Sequence, residues 1–355
     1  MAKGLFILSI FSRAGKSMLT IGLGHHFQKA GISFNYMKPL SLAPQDDVTA
    51  PMGPNTAFVC EALGVTSPAN LVCPIQVTQD FTMRYFAGQN ENCLPTVRAA
   101  YSTLAEGKDL MLVGGTGHMF SGKYCGLDAY RLCCEMDLRL LIVDRVQDEI
   151  HYDALLAFKE KDGDIPVGVI FNDVPPHLMQ DMEGVIKPFL ESKKMPVLGV
   201  IPSDPFLRSV PVVDLAESLG GKLVTAQGNT TRMVENFLIG TMQVDNFMTY
   251  FRRHPDSAVI VGGDRADVQL AAIEGECPCL ILTGNICPNN MLLARADTLR
   301  VPIIMVRGDT YSIAKRMESI LNHYKMKDMQ KVPQITQLVG DHVDFPRLKK
   351  ALGLK

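Results

Sequence analysis

Leu5-Phe6-Ile7-Leu8-Ser9-Ile10-Phe11-Ser12-Arg13-Ala14-Gly15-Lys16-Ser17-Met18 joins an apolar run, residues 5–10, to an amphipathic run, residues 18–30, through a loop that ends Gly-Lys-Ser. Strand, tight loop and helix in that order describe a phosphate-binding loop. Backbone N–H groups at the helix N-terminus face an anion, the Lys16 ammonium neutralises terminal phosphate oxygens, and the Ser17 hydroxyl can ligate Mg²⁺. Ser12, Arg13, Ala14, Gly15, Lys16, Ser17 and Met18 are therefore the expected cradle. The full pattern wants a glycine five places before Gly15, where this chain has Ile10. Either the loop closes around phosphate without that glycine, or tight binding is lost. The plain alternative is a Gly-Lys-Ser that merely opens a helix, with Lys16 solvated.

The chain has 355 residues, 47% hydrophobic and 20% charged, enough to bury two ordinary cores. A net charge of -2 argues against a nucleic-acid surface. No apolar run approaches the roughly 18 residues of a membrane span. Met1-Ala2-Lys3-Gly4 leads straight into the first strand, so no targeting leader is expected. Nine cysteines without a repeated Cys-x-x-Cys spacing read as reduced thiols of a cytoplasmic protein. Cys277-Pro278-Cys279 and Cys133-Cys134 are expected to be buried thiols rather than metal or redox sites.

Over the first two hundred residues, short apolar runs alternate with helical patterns. The predicted strands are 5–10, 33–38, 110–113, 138–143, 167–172 and 197–201, and the predicted helices include 18–30, 56–63, 94–105, 148–160 and 177–191. Such alternation predicts a parallel sheet covered on both faces, with its ligand site at the carboxyl ends of the strands. Lys38-Pro39 ends the second strand, which puts an ammonium beside the phosphate loop, able to bind a carboxylate or a transferred phosphoryl group. Its other reading is a surface lysine. Gly114-Gly115-Thr116-Gly117 ends the third strand and either lets a ligand approach the backbone or forms a tight turn. Asn172 ends another strand, where its amide can pair with an adenine edge or cap the following turn.

In that order, the loop 9–17, Lys38-Pro39, the glycine cluster after Val113, Phe171-Asn172-Asp173-Val174 and Gly199-Val200-Ile201-Pro202 resemble dethiobiotin synthetase. They resemble more closely the dethiobiotin-synthetase-like module at the N-terminus of long bacterial phosphate acetyltransferases. The resemblance covers residues 1–207. It implies an α/β, P-loop NTPase-like domain with a parallel doubly wound sheet and ATP or a related nucleotide as cofactor, with Mg²⁺ as a candidate companion. It also implies Lys16 and Lys38 in catalytic positions, and Asn172 and Pro202 at the nucleotide. Two departures bear on activity. In dethiobiotin synthetase an acidic residue that helps hold Mg²⁺ follows the strand ending here at Val113, and this chain has Gly114. A second Mg²⁺-binding Asp opens the helix after the Lys-Pro strand, where this chain has Asn55 or Thr56. Ser17 is left as the obvious metal ligand, with Asp46 and Asp47 as substitutes or as a solvated loop pair. Mg²⁺ favours hard oxygen ligands that include carboxylates, so phosphoryl transfer is expected to be slow or absent.

The second half repeats strand, polar glycine turn and helix. Helices are predicted at 212–219, 244–251 and 266–274, and strands at 222–225, 258–261, 279–282 and 301–306. Gly263-Asp264-Arg265, then Asp267 with Ala271-Ala272, then Leu282-Thr283-Gly284, resemble the DRTGG domain over residues 208–322. That resemblance implies a smaller α/β module that senses a small-molecule effector or forms a homo-oligomer, with Gly263, Asp264, Arg265, Thr283 and Gly284 as regulatory residues. Asp264 and Arg265 either contact a ligand or fix the turn as an internal ion pair. Residues 323–355 are expected to be a charged tail with a terminal helix near 345–352 and little else.

The acetyl-transferring domain of phosphate acetyltransferase is not expected in the residues beyond 322. Three readings follow: a nucleotide-binding regulatory protein acting on a metabolic enzyme partner, an ATP-dependent ligase or amidase of the dethiobiotin synthetase and cobyrinate diamide synthase type, and a structural subunit with a vestigial site.

Overall fold

The computed structural model describes residues 2–12, 14–42, 52–89, 92–146, 150–162, 165–323 and 328–354. Arg13, Asp46, Asp47 and Asp148 lie outside them. The chain divides into two compact units, one built from residues 1–203 with 327–355 and the other from 204–326. The second unit is thus inserted into the first.

The first unit is built on a six-stranded parallel sheet of β1 (Lys3–Leu8), β2 (Phe34–Met37), β5 (Leu110–Gly114), β6 (Leu138–Asp144), β7 (Pro166–Val174) and β8 (Val197–Pro202), in the order β2-β5-β1-β6-β7-β8. Every neighbouring pair is parallel. These strands read as almost unbroken apolar runs because helices cover both faces. In β1 five successive residues, Gly4 to Leu8, are buried. The predicted first strand is displaced: Ser9 and Ile10 already belong to the loop, although Ile10 still packs into the core and so prolongs the apolar run. A parallel two-stranded ribbon, β3 (Leu40–Leu42) with β4 (Ile75–Val77), stands beside the main sheet. The helices are α1 (Lys16–Lys29), α2 (Pro54–Leu63), α3 (Gln79–Phe86), α4 (Leu94–Ala105), α5 (Ala129–Met136) and α6 (Ile150–Asp162). The predicted helix 177–191 is a composite run interrupted by a π-helical turn at Met182–Ile186.

In the second unit a five-stranded sheet combines β9 (Lys222–Leu223), β10 (Asn236–Ile239), β11 (Ser257–Gly262), β12 (Leu280–Thr283) and β13 (Ile303–Met305), in the order β9-β13-β12-β11-β10. Only the β9 edge is antiparallel. Helices α7 (Val212–Leu219) and α11 (Thr310–His323) supply one core, and α8 (Val244–Phe251), α9 (Ala266–Glu274) and α10 (Asn290–Thr298) the other. Strand β10, helices α10 and α11 and a short antiparallel pair of Val210–Pro211 with Met233–Val234 lie outside the predicted elements, and the other strands and helices named here fall where predicted. Cys277 and Cys279 are buried and burial raises both thiol pKa values, as expected of packed, unreactive sulfur, whereas of the Cys133-Cys134 pair only Cys133 is buried and Cys134 is exposed on α5.

The expected C-terminal tail is corrected by the structure. Beside α13 (Phe345–Leu352) there is a further helix, α12 (Val332–His342), packed on α1. Val332, Ile335 and Val339 recur at helical spacing and are buried, a stripe that the charged composition of the segment conceals. Gly22 lets the two helices approach, since a Cβ there meets Val339 at 2.5 Å. The Phe345 ring stacks on His26 of α1 with centroids 3.3 Å apart.

Candidate functional site

The loop between β1 and α1 leaves the sheet at its central strand, where successive connections run to opposite sides, the place at which open α/β sheets hold ligands. Gly15 caps α1 in the left-handed region, φ 96° and ψ 20°. Among the described loop residues it alone has positive φ, which explains why Ile10 can stand where the full pattern has glycine. Leu19 N–H donates to Gly15 C=O at 3.0 Å, so the helix begins at once.

The Lys16 side chain returns over the loop. Its Nζ donates to Ser9 Oγ at 2.5 Å and to the Gly117 carbonyl at 2.6 Å. Burial, and then the nearby Lys38 ammonium, bring its pKa down from 10.5 to about 8. Lys16, at the start of α1, and Lys38, just after β2, are therefore near enough for their charges to oppose one another. Such an arrangement favours an incoming anion over the empty state.

The opposite wall of the loop is Asn172. Its Nδ2 donates to the Ala14 carbonyl at 3.1 Å, and a Cβ at Gly15 would lie 2.1 Å from the same nitrogen. The amide donor expected at an adenine edge is thus engaged by the phosphate loop itself. Next to it Asp173, in the left-handed region at φ 60°, accepts hydrogen bonds from Arg145 and, at 2.6 Å, from Ser203 Oγ. Arg145, Asp173 and Ser203 follow or end β6, β7 and β8. Sequence reasoning passed over them, though the strand-end rule that found Asn172 points to all three. Pro202 closes β8 in register with Val174.

Gly114 and its neighbours pack tightly. A Cβ at Gly114 would lie 2.6 Å from Tyr36 Oη, so the buried phenol occupies the space into which an acidic side chain would project. Thr116 Oγ1 donates to the Leu40 carbonyl, and Gly117 holds Lys16. Thr56, the other position expected to match a metal-binding Asp, is fully buried in α2, and its hydroxyl has no hydrogen-bond partner among the described residues. Ser17 is half-buried. Among the described residues no group of three or more His, Cys, Asp or Glu side chains is placed to hold a metal.

In the second unit the glycine turns meet at the carboxyl edge of the sheet. Gly263 N–H donates to Thr283 C=O at 3.2 Å, Gly284 N–H to Gly308 C=O at 3.0 Å, and the hydroxyls of Thr283 and Thr310 lie 2.9 Å apart. Arg265 bonds both oxygens of Asp267 at 3.0 Å, with a third bond to Met242 C=O at 3.1 Å.

A parallel sheet with a phosphate loop at its central strand defines a P-loop NTPase-like domain. The chain belongs to the family whose model is described as an AAA domain, which matches residues 3–210, and residues 214–320 match the DRTGG domain. Among curated relatives, phosphate acetyltransferase of Nitrosomonas europaea is 22% identical over 98% of this chain and 51% of its own length. That of Pseudomonas putida is 24% identical over 96% and 50%. The chain spans about half the length of the curated relatives it matches. The CBS and DRTGG domains of the regulatory region of Clostridium perfringens pyrophosphatase, complexed with the activator diadenosine tetraphosphate, align at 17% identity. Their TM-score is 0.28 over 48% of this chain and 74% of that one, too slight a likeness to carry weight. No described helix is long and apolar enough to cross a membrane.

Proposed function

We propose that the protein is a cytoplasmic nucleotide-binding regulator, related to the non-catalytic N-terminal half of phosphate acetyltransferase, whose phosphate loop binds ATP or a similar polyphosphate without turning it over. The observation that carries this reading is Lys16, held at the mouth of the loop with its pKa brought down to about 8 by burial and by Lys38. An anion relieves both effects. The tight contact between Gly114 and Tyr36 and the poor carboxylate supply support binding without phosphoryl transfer. The DRTGG unit then senses an effector or joins copies of the chain, and the output passes to a metabolic enzyme.

The ligase or amidase reading draws on Lys38 beside Lys16. Against it stands the Gly114 position, where the Tyr36 phenol fills the space that an acidic side chain would need.

The test is thermal unfolding with millimolar ATP, ADP or GTP. Nucleotide is expected to raise the midpoint, and Lys16→Ala to abolish the rise. No rise with any of the three leaves the vestigial reading standing. Steady Mg²⁺-dependent ATP hydrolysis that disappears in Lys38→Ala would restore the enzyme.

A further inference from the structure

The inserted unit, residues 204–326, is joined to the first unit by two junctions, and both are fastened to the elements that carry the phosphate loop. The entering junction is the end of β8. Ser203 N–H donates to Val174 C=O at 2.8 Å, and its hydroxyl donates to Asp173 Oδ1 at 2.6 Å. Asp173 directly follows Asn172, whose amide holds the Ala14 carbonyl of the loop at 3.1 Å. A hydrogen bond, a peptide bond and a second hydrogen bond thus lead from Ala14 to the last residue before the insertion.

The leaving junction runs into α12, which packs on α1, the helix that the phosphate loop leads into. The contact of Gly22 with Val339 lies about 9 Å along the α1 axis from Lys16, at a rise of ~1.5 Å per residue. After α12 the chain turns back to β8. Val343 bridges Gly199, Asp344 N–H donates to Leu198 C=O at 2.8 Å, and a Cβ at Gly199 would lie 2.6 Å from His342 C=O. The segment that leaves the insertion is therefore bonded to the strand that enters it.

Loop, α1, α12, β8 and the run Asn172-Asp173-Ser203 close into a circuit of direct contacts. Elements packed this closely shift as bodies rather than deforming continuously. The loop has a reason to shift. In the free protein Lys16 Nζ donates to Ser9 Oγ and to the Gly117 carbonyl, and a polyphosphate competes for that ammonium and for the N–H groups at the start of α1. A displacement of Ala14 or of α1 is carried to both junctions.

We infer that the phosphate loop and the inserted unit are coupled through this circuit. Nucleotide at the loop steadies the inserted unit, and a ligand of the inserted unit changes nucleotide affinity by the same factor. The inference rests on the nucleotide reading above and adds the route by which the DRTGG unit and the loop act on one another.

Hydrogen–deuterium exchange of the full chain, with and without saturating ATP, tests it in wild type, Lys16→Ala and Val339→Ala. In wild type ATP is expected to slow exchange about fivefold or more in the loop, in α12 and in β11 and β12 of the inserted unit. Lys16→Ala should abolish all of this protection. Val339→Ala should keep the protection of the loop, which shows that the variant is folded, and lose most of that in β11 and β12. Should Val339→Ala not fold, wild type and Lys16→Ala still decide whether the two units are coupled. Protection of the loop alone in wild type overturns the inference and leaves nucleotide binding standing. Protection of β11 and β12 that persists in Lys16→Ala also overturns it, because ATP then binds the inserted unit directly, and so does protection there that persists in Val339→Ala. No protection anywhere overturns the nucleotide reading and the inference together.

Discussion

Raising the pH from 7 to 9 strips the proton from Lys16 in the unliganded protein, because burial and Lys38 bring its pKa down from 10.5 to about 8. A bound polyphosphate, whose own oxygens are already ionised above a second pKa of about 6, keeps that proton in place. The free protein is then charged at Lys16 in about ten molecules of eleven at pH 7 and in about one of eleven at pH 9, so nucleotide affinity should fall about tenfold, worth about 1.4 kcal/mol. Calorimetric titration in two buffers of different ionisation enthalpy measures both consequences. The dissociation constant should rise steadily above pH 8, and about 0.9 proton should be taken up per site at pH 9. Lys16→Arg, charged throughout, should give a flat profile, and Lys38→Met should move the fall to higher pH. A wild-type affinity that is constant from pH 7.5 to 9 with no proton uptake would refute the argument. The same shift predicts the stability of the free protein. Between the folded pKa near 8 and the unfolded value of 10.5 the unfolded chain binds the extra proton, so stability should rise with pH across that window.

Gly114→Ala should destabilise by about 1–3 kcal/mol through overpacking, because its Cβ lies 2.6 Å from Tyr36 Oη; Tyr36→Phe in the same chain leaves the nearest atom at 3.2 Å and should recover most of the loss in urea unfolding. Strict additivity of the two changes would show that the phenol is not what excludes a side chain there. Asn172→Ala removes the bond to Ala14 and should cost about 1 kcal/mol together with part of the nucleotide affinity, whereas Gly15→Ala adds backbone strain and should abolish binding. Val339→Asp puts an unpaired charge between α12 and α1, and a loss of about 3 kcal/mol or more is expected by thermal unfolding; a chain ending at residue 327 with an unchanged midpoint would mean that the C-terminal helices are dispensable.

The six strands of the main sheet and the phosphate loop were legible because both are written locally. A doubly covered parallel strand must be apolar along its length, and a helix entered through Gly15 needs a residue tolerant of φ 96°. The glycine turns of the second unit were legible for the same reason. The helix at 345–352 was legible too, but the one at 332–342 was not: Val332, Ile335 and Val339 form only a sparse stripe, and their burial depends on a groove that α1 supplies from three hundred residues away.

Sequence alone determined that a P-loop-like sheet precedes a DRTGG unit, that Lys16 opens the first helix and Lys38 follows the second strand, and that Gly114 carries no carboxylate. Only the tertiary structure decided that Lys16 reaches Gly117 across 101 residues, that Asn172 supports Ala14 across 158, that Tyr36 occupies the space beside Gly114, and that Arg265 pairs with Asp267. Backbone preferences act between near neighbours and can be read from spacing. Which side chains meet depends on the order in which the strands assemble and on the space each leaves for the next.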